Sequence, residues 1–455
     1  MFTFRISNSK PRTRSFSLFV TTLCIGLVAS ACGYESSSSA ARRRVGAPAI
    51  PPAAPLTPDA VDADAGIRML EERVKRDPED FGAHNKLAGF YLQRARETGG
   101  ADYINLAARA ARLSLESVPE MRNTGGLAAL TQAEFASHEF IQARDHAIEL
   151  TALDAGKTYP YALLGDAHLE LGDYEAARKA FRHMERVGGG ISHSSETRRS
   201  RLAFLHGDTA GATRHLMNAL ALALDLPAPP REPVAWYRWQ LGELAFSAGD
   251  YERAERHYRE ALITFPDYFR AVAGLGRVRA AHNDINGAIE HYEKVVNRLP
   301  DPAFVAMLGD FYKLAGRETE SNAQYKLVEQ IAQLNSTNGV IFSRQLMLFY
   351  ADHDMKAQEA YVAALKEYET RRDIYGADAV AWTALKAGKL DDAQKFSRAA
   401  LRLGTQDAIL FYHAGMIARA AGDKTAARNH IQRALKLNPQ FDLLQASIAK
   451  QALDG

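Results

Sequence analysis

The feature that most constrains the fold of this chain is a sequence pattern that recurs about every 34 residues. Three copies begin with a Leu-Gly pair, namely Leu241-Gly242, Leu275-Gly276 and Leu308-Gly309. In the first two copies an alanine and a tyrosine follow at the same distances, Ala254 and Tyr258 in one and Ala288 and Tyr292 in the other. A unit of this length indicates a stack of supersecondary units, each of which buries its apolar face against its neighbours.

Further copies extend the pattern towards both ends of the chain. Leu164-Gly165 begins one copy, and Gly388 and Gly415 lie in two copies near the C-terminus. Residues of about 68–118, 122–155, 195–226 and 340–372 fit as degenerate or interrupted copies. Amphipathic helical periodicity, with short Gly-Asp or Asn-Asp turns between segments, predicts that each copy is a pair of helices. The sequence therefore predicts roughly nine to ten repeats over residues 65–455.

The order of residues within one unit resembles the tetratricopeptide repeat, with Gly242, Ala254, Tyr258, Ala261 and Pro266 at the family's positions. The resemblance implies an all-α fold, a right-handed superhelical solenoid whose concave groove is lined by the first helix of each unit. Glycine and alanine would let the two helices of a unit approach closely, and the tyrosine would fill the space between units. Proline would end the second helix. The segment from Phe441 onwards is expected to form a helix that caps the last repeat.

The N-terminus has the composition of a secretory signal. Four basic residues, Arg5, Lys10, Arg12 and Arg14, precede a stretch of apolar and small residues from 16 to 28. The next four residues, Ala29-Ser30-Ala31-Cys32, resemble the lipobox of bacterial lipoproteins. The resemblance implies that residues 1–31 are a lipoprotein signal peptide and that Cys32 carries the lipid, including palmitate. An ordinary secretory signal that is cleaved nearby remains the alternative.

Residues 32–64 are predicted to be a disordered tether that follows the lipidated cysteine. The segment contains a serine run and five prolines between Pro48 and Pro58, a composition that favours extended chain over a buried core. Gly33 follows Cys32, where lipoproteins kept in the inner membrane often have aspartate. The resemblance therefore implies a protein of the bacterial cell envelope, anchored in the outer membrane and facing the periplasm.

No motif for catalysis or for a cofactor is found in the sequence. The phosphate-binding loop, the zinc pair of a metalloprotease and the nucleophile elbow of a hydrolase are all absent. Lysine and arginine total 56 against 54 acidic residues, so no overall basic field suggests nucleic acid. Asp352-His353-Asp354 and the cluster of Arg198, Arg199 and Arg201 are interpreted as solvated residues. We expect no enzymatic activity, no cofactor, no metal site and no nucleic-acid partner.

The family's groove-facing positions, carried over to this sequence, predict a surface that binds a partner. The candidate partner-binding residues are Trp236, Trp239, Glu243, Arg270, Arg277, Asp310, Lys313, Arg344, Tyr375, Trp382 and Tyr412. Tryptophan, tyrosine and arginine dominate the binding energy of many protein interfaces. The alternative is that the tryptophans belong to the core, where first helices of repeats often carry them.

Three functions remain open at this point. The first is an envelope scaffold, fixed by its lipid, that recruits a protein or peptide partner for envelope assembly. The second is a component of an export or polysaccharide-secretion system, where the repeats dock on a pore or synthase. The third, which the missing motifs disfavour, is an enzyme with an unrecognised site. The sequence does not indicate an oligomeric state.

Overall fold

The computed structural model describes residues 50, 51, 53, 62–337 and 344–454, with the side chains of residues 335–337 left out. The predicted signal peptide, Cys32 and most of the predicted tether lie outside these residues. All the regular secondary structure of the described residues is helical, and no strand occurs among them. The all-α fold class predicted from the repeat is therefore confirmed.

The described ranges contain 22 α-helices and a short 3-10 helix at Glu120–Arg122. The α-helices are α1 (Ala63–Arg76), α2 (Phe81–Thr98), α3 (Ala101–Ser117), α4 (Thr124–Ala136), α5 (Phe140–Leu153), α6 (Thr158–Glu170), α7 (Tyr174–Val187), α8 (His193–Leu205), α9 (Thr209–Leu224), α10 (Arg231–Ser247), α11 (Tyr251–Thr264), α12 (Phe269–Ala281), α13 (Ile285–Arg298), α14 (Pro302–Leu314), α15 (Glu318–Thr337), α16 (Arg344–Asp352), α17 (Ala357–Thr370), α18 (Ile374–Lys386), α19 (Leu390–Ala400), α20 (Ala408–Ala420), α21 (Lys424–Leu437) and α22 (Leu443–Asp454).

Consecutive helices pack as pairs, and the pairs stack into a solenoid. Within the described ranges there are ten pairs, from α2 with α3 to α20 with α21, in agreement with the nine to ten repeats predicted from the sequence. Helix α1 packs on α2 at one end, and α22 packs on α21 at the other. Helix α1 begins at Ala63, two residues before the predicted start of the solenoid.

The turns inside the pairs are built as their sequences suggest. In several Gly-Asp and Asn-Asp turns the aspartate caps the second helix, because its side chain accepts a hydrogen bond from a backbone N–H of the first turn. Asp250 accepts from Arg253 at 3.0 Å, and Asp284 accepts from Gly287 at the same distance. Helix α11 ends at Thr264, two residues before Pro266, which cannot continue a helix.

The glycine of the repeat permits close contact between the two helices of a pair. A Cβ atom on Gly276 would lie 2.7 Å from the ring of Tyr292, and one on Gly309 would lie 2.6 Å from the ring of Tyr325. Tyr292 is 3% exposed, so its ring has no free space into which it can move. The tyrosine fills the space that the glycine leaves open, as the repeat pattern predicts.

This close contact leads to a stability prediction. We expect Gly276→Ala to lower the free energy of unfolding by about 1–3 kcal/mol, because the new methyl group overpacks against Tyr292. Gly89→Ala is the matched control, since Gly89 is exposed in helix α2 and a Cβ there would have no atom within 4 Å. The control should raise stability by up to about 1 kcal/mol through helix propensity alone. Denaturant titration of the two variants measures both effects, and equal effects would refute the close-contact explanation.

The solenoid winds into a superhelix whose second turn rests on its first. Ile374, the first residue of α18, donates its backbone N–H to the hydroxyl oxygen of Tyr174 at 2.9 Å. Tyr174 begins α7, eleven helices earlier. We call the contacts between the two turns the seam. The hydrogen bonds and the ion pair of the seam join segments that are about eleven helices apart. One superhelical turn therefore takes about eleven helices.

The seam runs along much of the molecule. Thr405 donates its hydroxyl to the carbonyl oxygen of Leu205, and the Asn438 amide donates to the carbonyl oxygen of Phe246 at 2.9 Å. Arg371 forms an ion pair with Glu170, and both side chains are buried. These contacts use backbone carbonyls and buried charges rather than the small and aromatic residues of the repeat pattern. The seam therefore adds tertiary stability to an architecture in which each repeat otherwise contacts only its neighbours.

First helices of successive pairs contact one another directly, as α10 does with α12 and α16 does with α18. This contact places the first helices on the inner side of the superhelix. Ile50, which lies in the predicted tether, is half-buried and packs against the hydrophobic cluster of helices α9–α12. None of the helices in the described ranges combines the length and apolar composition needed to cross a bilayer.

Candidate functional site

The inner face of the central repeats carries a strip of paired charges. Glu243 of α10 and Arg277 of α12 form an ion pair, and Tyr258 donates its hydroxyl to Glu243 at 2.7 Å. The guanidinium of Arg277 also lies over the ring of Phe246, 4.7 Å from its centroid. The side chains of Glu243 and Arg277 are 23% and 28% exposed, so both charges remain accessible from the inner side.

The strip continues into the next two repeats. Asp310 of α14 accepts a hydrogen bond from Tyr325 at 2.6 Å, and its carboxylate lies 2.8 Å from Nε2 of His353. Burial would lower the pKa of His353, but the Asp310 carboxylate outweighs burial and raises the pKa above its ordinary value. Lys313, one helical turn after Asp310, is exposed. We call Glu243, Arg277, Asp310 and Lys313 the inner strip.

The two tryptophans of α10 are much less accessible than the inner strip. Trp236 and Trp239 are 7% and 6% exposed, and their ring centroids lie 6.5 Å apart. Arg270 of α12 is buried beside them, with its guanidinium 5.2 Å from the Trp239 ring. Within the described ranges, the indole N–H of Trp236 has no hydrogen-bond partner. These residues form a continuous inner cluster, as the repeat register predicts, but their side chains are enclosed.

The predicted residues of the last repeats are enclosed as well. Trp382 and Tyr412 are each 1% exposed. Trp382 donates its indole N–H to Asp352 at 2.8 Å, and its ring stacks on His413 at 4.1 Å. Nδ1 of His413 lies 2.9 Å from the carboxylate of Asp378. Burial would lower the pKa of His413, but Asp378 and Asp352 raise it above its ordinary value.

Two further predicted residues bind neighbouring groups within the chain. Arg344 begins α16, where its guanidinium lies 2.9 Å from both Glu367 and Asp373. Tyr375 of α18 donates its hydroxyl to Asp407 at 3.4 Å and lies under the guanidinium of Arg201. Both side chains are therefore oriented by the fold, and Tyr375 is half-buried.

All eleven predicted residues thus lie on first helices, but they form two groups with different accessibility. The members that reach the inner surface are those of the inner strip. The enclosed members are Trp236, Trp239, Arg270, Trp382 and Tyr412, with Arg344 and Tyr375 held in ion pairs and hydrogen bonds. Partner binding by these residues stays a prediction.

Two interpretations of the sequence are wrong. Asp352 and His353 are not solvated turn residues, since Asp352 accepts a hydrogen bond from the buried indole of Trp382 and His353 lies 2.8 Å from the half-buried Asp310. Arg198 is also not solvated, because it is 3% exposed and its guanidinium donates to Asp166 at 3.0 Å. Burial raises the pKa of Asp166 to about 6 in spite of Arg198. Periodicity identifies the inner side of a helix, but it does not show that a polar residue meets a partner there.

Sequence analysis did not predict the carboxylate partners of two histidines of the inner face, His353 and His413. Their partners Asp310 and Asp378 lie 43 and 35 residues away, so no short spacing indicates either pair. Among the residues that the structure describes, no group of three or more His, Cys, Asp or Glu side chains is arranged to hold a metal ion. The inner face carries paired charges and aromatic rings.

Comparisons with known proteins agree with this architecture. A family model described as "Tetratricopeptide repeat" matches residues 240–303 and 379–440, and a second model with that description matches residues 159–183. No curated protein sequence matches the chain.

Similar solved structures include that of the human IFIT1 dimer with PPP-AAAA, which is 15% identical, with 83% of this chain and 95% of that chain covered and a TM-score of 0.43. A tetratricopeptide repeat protein from Parabacteroides merdae is 16% identical, with 58% and 98% covered and a TM-score of 0.32. PilF of Pseudomonas aeruginosa is 20% identical, with 49% and 99% covered and a TM-score of 0.27. At these identities the likeness concerns the fold alone.

Proposed function

The chain is built from tetratricopeptide repeats, and from this premise we propose that it is a scaffold that binds a protein or peptide partner on its inner face. The observation that carries the proposal is the inner strip. Its members come from three successive first helices, and they place both signs of charge on one accessible surface. Complementary charges of this kind select a partner and orient it.

Aromatic residues of α10 pack beside the strip. Phe246 lies under Arg277, and the enclosed pair of Trp236 and Trp239 lies on the same helix. Because the pairs Glu243–Arg277 and Asp310–His353 hold their side chains in place, little side-chain entropy would be lost on binding.

We also propose that the protein works in the bacterial cell envelope, attached to a membrane through lipid on Cys32. This part depends on the sequence of residues 1–32, with its basic start, apolar core and small residues before the cysteine. A lipid anchor combined with a repeat scaffold would hold a partner near the outer membrane for envelope assembly. The alternative, a component of an export or polysaccharide-secretion system, uses the same surface and differs in the captured partner.

Reversing the exposed charge of the inner strip tests the proposal. We expect Lys313→Glu in the full chain to weaken partner capture from envelope extracts at least about tenfold, because a like charge then faces the partner's acidic group. Lys313 is exposed, so the fold should tolerate the change. Quantitative mass spectrometry of the captured proteins measures the loss.

The matched control is Lys326→Glu, which reverses the charge of an exposed lysine on α15, a second helix. The control should capture the same partner as the unaltered protein. If both variants lose the partner equally, the effect is one of net charge and the inner strip is not the site. If neither variant loses the partner, the binding surface lies elsewhere on the protein.

A further inference from the structure

The last helix, α22, does more than cover the end of the solenoid. Its residue Gln445 is 4% exposed and accepts a hydrogen bond from the hydroxyl of Tyr412 at 2.7 Å. The Gln445 amide also donates to the carbonyl oxygen of Asp352 at 3.2 Å. Asp352 is the last residue of α16, so one side chain ties α22 to two other repeats.

Apolar contacts extend the same connection. The ring of Phe441 lies 5.2 Å from the ring of Tyr412, and Ala449 is buried in the cluster that contains Trp382 and Tyr412. Leu443, the first residue of α22, packs against the hydrophobic cluster of helices α12–α14. Helix α22 therefore contacts Tyr412, which is predicted to bind a partner, and shares a buried apolar cluster with a second such residue, Trp382.

We infer that α22 is a gate, which closes the inner face of the last three repeats when it is docked and exposes Trp382 and Tyr412 to a partner when it is released. The inference rests on the proposed function, because it explains how enclosed residues of a binding face become available. It identifies the occupant of that face in the free protein as this chain's own last helix. A partner would compete with α22 for Tyr412.

The charges at the start of α22 oppose its docking. Asp442 caps the helix by accepting from the backbone N–H groups of Leu444 and Gln445, at 3.0 and 2.7 Å. Burial, together with the carboxylates of Asp352 and Asp310, raises the pKa of Asp442 to about 7. When Asp442 is ionised, three carboxylates therefore oppose one another where α22 meets the inner face.

Other charged and titratable groups also face this region. Burial and the carboxylates of Asp352, Asp442 and Asp354 raise the pKa of Tyr412. Asp354 also forms an ion pair with Lys386. His353 and His413 lie near Asp352, but their own hydrogen bonds go to Asp310 and Asp378. Asp442 caps α22, so its protonation state is the one that directly affects the docking of this helix.

The direction of the pH effect follows from the raised pKa. A released Asp442 has an ordinary pKa of about 4, so docking takes up a proton between about pH 4 and 7. Docking is then strongest below about pH 4 and weakens as the pH rises, by up to about tenfold per unit, until it levels off above about pH 7.

Hydrogen exchange of the full chain tests this behaviour without any partner. We expect the protection of the α22 amides, corrected for intrinsic exchange, to fall between pH 5 and pH 7.5. Asp442→Asn should remove most of this fall, because the amide stays neutral while its oxygen still caps the helix. Asp454→Asn, at the exposed end of the same helix, is the control and should behave like the unaltered protein.

Radical footprinting of tryptophan side chains tests the gate itself. Gln445→Ala removes both hydrogen bonds to the inner face, and we expect oxidation of Trp382 to rise about fivefold or more. Trp236 and Trp239 lie on α10 and serve as internal references that should not change. Unchanged α22 protection in all variants, together with unchanged Trp382 oxidation in Gln445→Ala, would overturn the inference.

The two proposals fail in different ways. If Trp382 becomes exposed in Gln445→Ala but partner capture does not increase, the gate is real and the last repeats are not the binding face. If no partner is captured by any variant while footprinting shows the expected change, the proposed function fails and the gate remains.

Discussion

Replacing Arg371 with alanine is expected to cost about 3–5 kcal/mol of local stability at the seam, because its partner Glu170 would remain buried without its ion pair. Arg371 is 6% exposed and forms an ion pair with Glu170 of the first superhelical turn. Its Nε atom also lies 3.1 Å from Asp373, and its guanidinium lies 4.9 Å from the centroid of the Phe140 ring. One side chain thus joins α6, the α4–α5 region and the start of α18.

The loss should appear as faster hydrogen exchange on both sides of the seam. A cost of about 3 kcal/mol corresponds to at least about a hundredfold increase in the opening equilibrium. We expect the increase for amides of α6, α7 and α18, and little change in α10–α13. Exchange is the suitable measurement, because a long repeat array need not unfold in one cooperative step.

Arg372→Ala provides the control for this prediction. Arg372 is the next residue in the chain and is exposed, and its hydrogen bond with Arg402 uses only its carbonyl oxygen as acceptor. The control should change exchange by less than about threefold, as expected for an exposed side chain. If both arginine variants give the same small change, the two superhelical turns do not depend on Arg371 for their contact.

Acid should weaken the same part of the seam. Burial would raise the pKa of Asp373, but Arg344 and Arg371 hold it below its ordinary value. A lowered pKa stabilises the fold above the unfolded value of about 4, and this stabilisation is lost as the pH falls through the folded value. Seam protection in the unaltered protein should therefore decline below about pH 4, and this decline should be smaller in Arg371→Ala.

Replacing Cys32 with serine is expected to move the protein from the membrane fraction to the soluble fraction. Each buried CH₂ group contributes about 0.8 kcal/mol, and stable anchoring needs more than one signal or chain. A cysteine with three acyl chains far exceeds that requirement. Serine has no thiol for the lipid, so the expected change is nearly complete loss of membrane retention rather than a partial shift.

Fractionation of cells, combined with metabolic labelling by a fatty acid, measures both parts of this prediction. Cys24→Ser is the matched control, because Cys24 lies within the predicted signal and would be removed with it. The control should be labelled and retained like the unaltered protein. Retention of Cys32→Ser on membranes without label would show that another segment holds the protein there, and the lipid proposal would fail.

Much of the architecture was predictable because the repeat is a local property. The spacing of Gly242, Gly276 and Gly309 predicted where helices approach, and the aspartates at 250 and 284 predicted where second helices begin. Each of these features depends on residues within one unit or on its immediate neighbour. The 34-residue period alone also predicts which helices line the inner face. All three tryptophans were therefore placed correctly on first helices.

The accessibility of that face was not predictable in the same way. Trp382 has the register of a groove residue, but Asp352, His413 and α22 enclose it. Whether such a residue is accessible to a partner depends on the curvature of the superhelix. That curvature is the sum of small rotations between many successive helices. Arg198 shows the same limit, since its partner Asp166 belongs to the preceding pair.

The 34-residue pattern of small and aromatic residues is enough to establish a solenoid of paired helices, because such units bury their apolar surface only by stacking. Tertiary structure alone decided that residues about 200 positions apart meet, as Tyr174 and Ile374 do across the seam. It also decided that α22 covers Tyr412. The physical reason is that periodicity defines contacts between neighbouring units, whereas contacts between turns depend on the pitch of the whole superhelix.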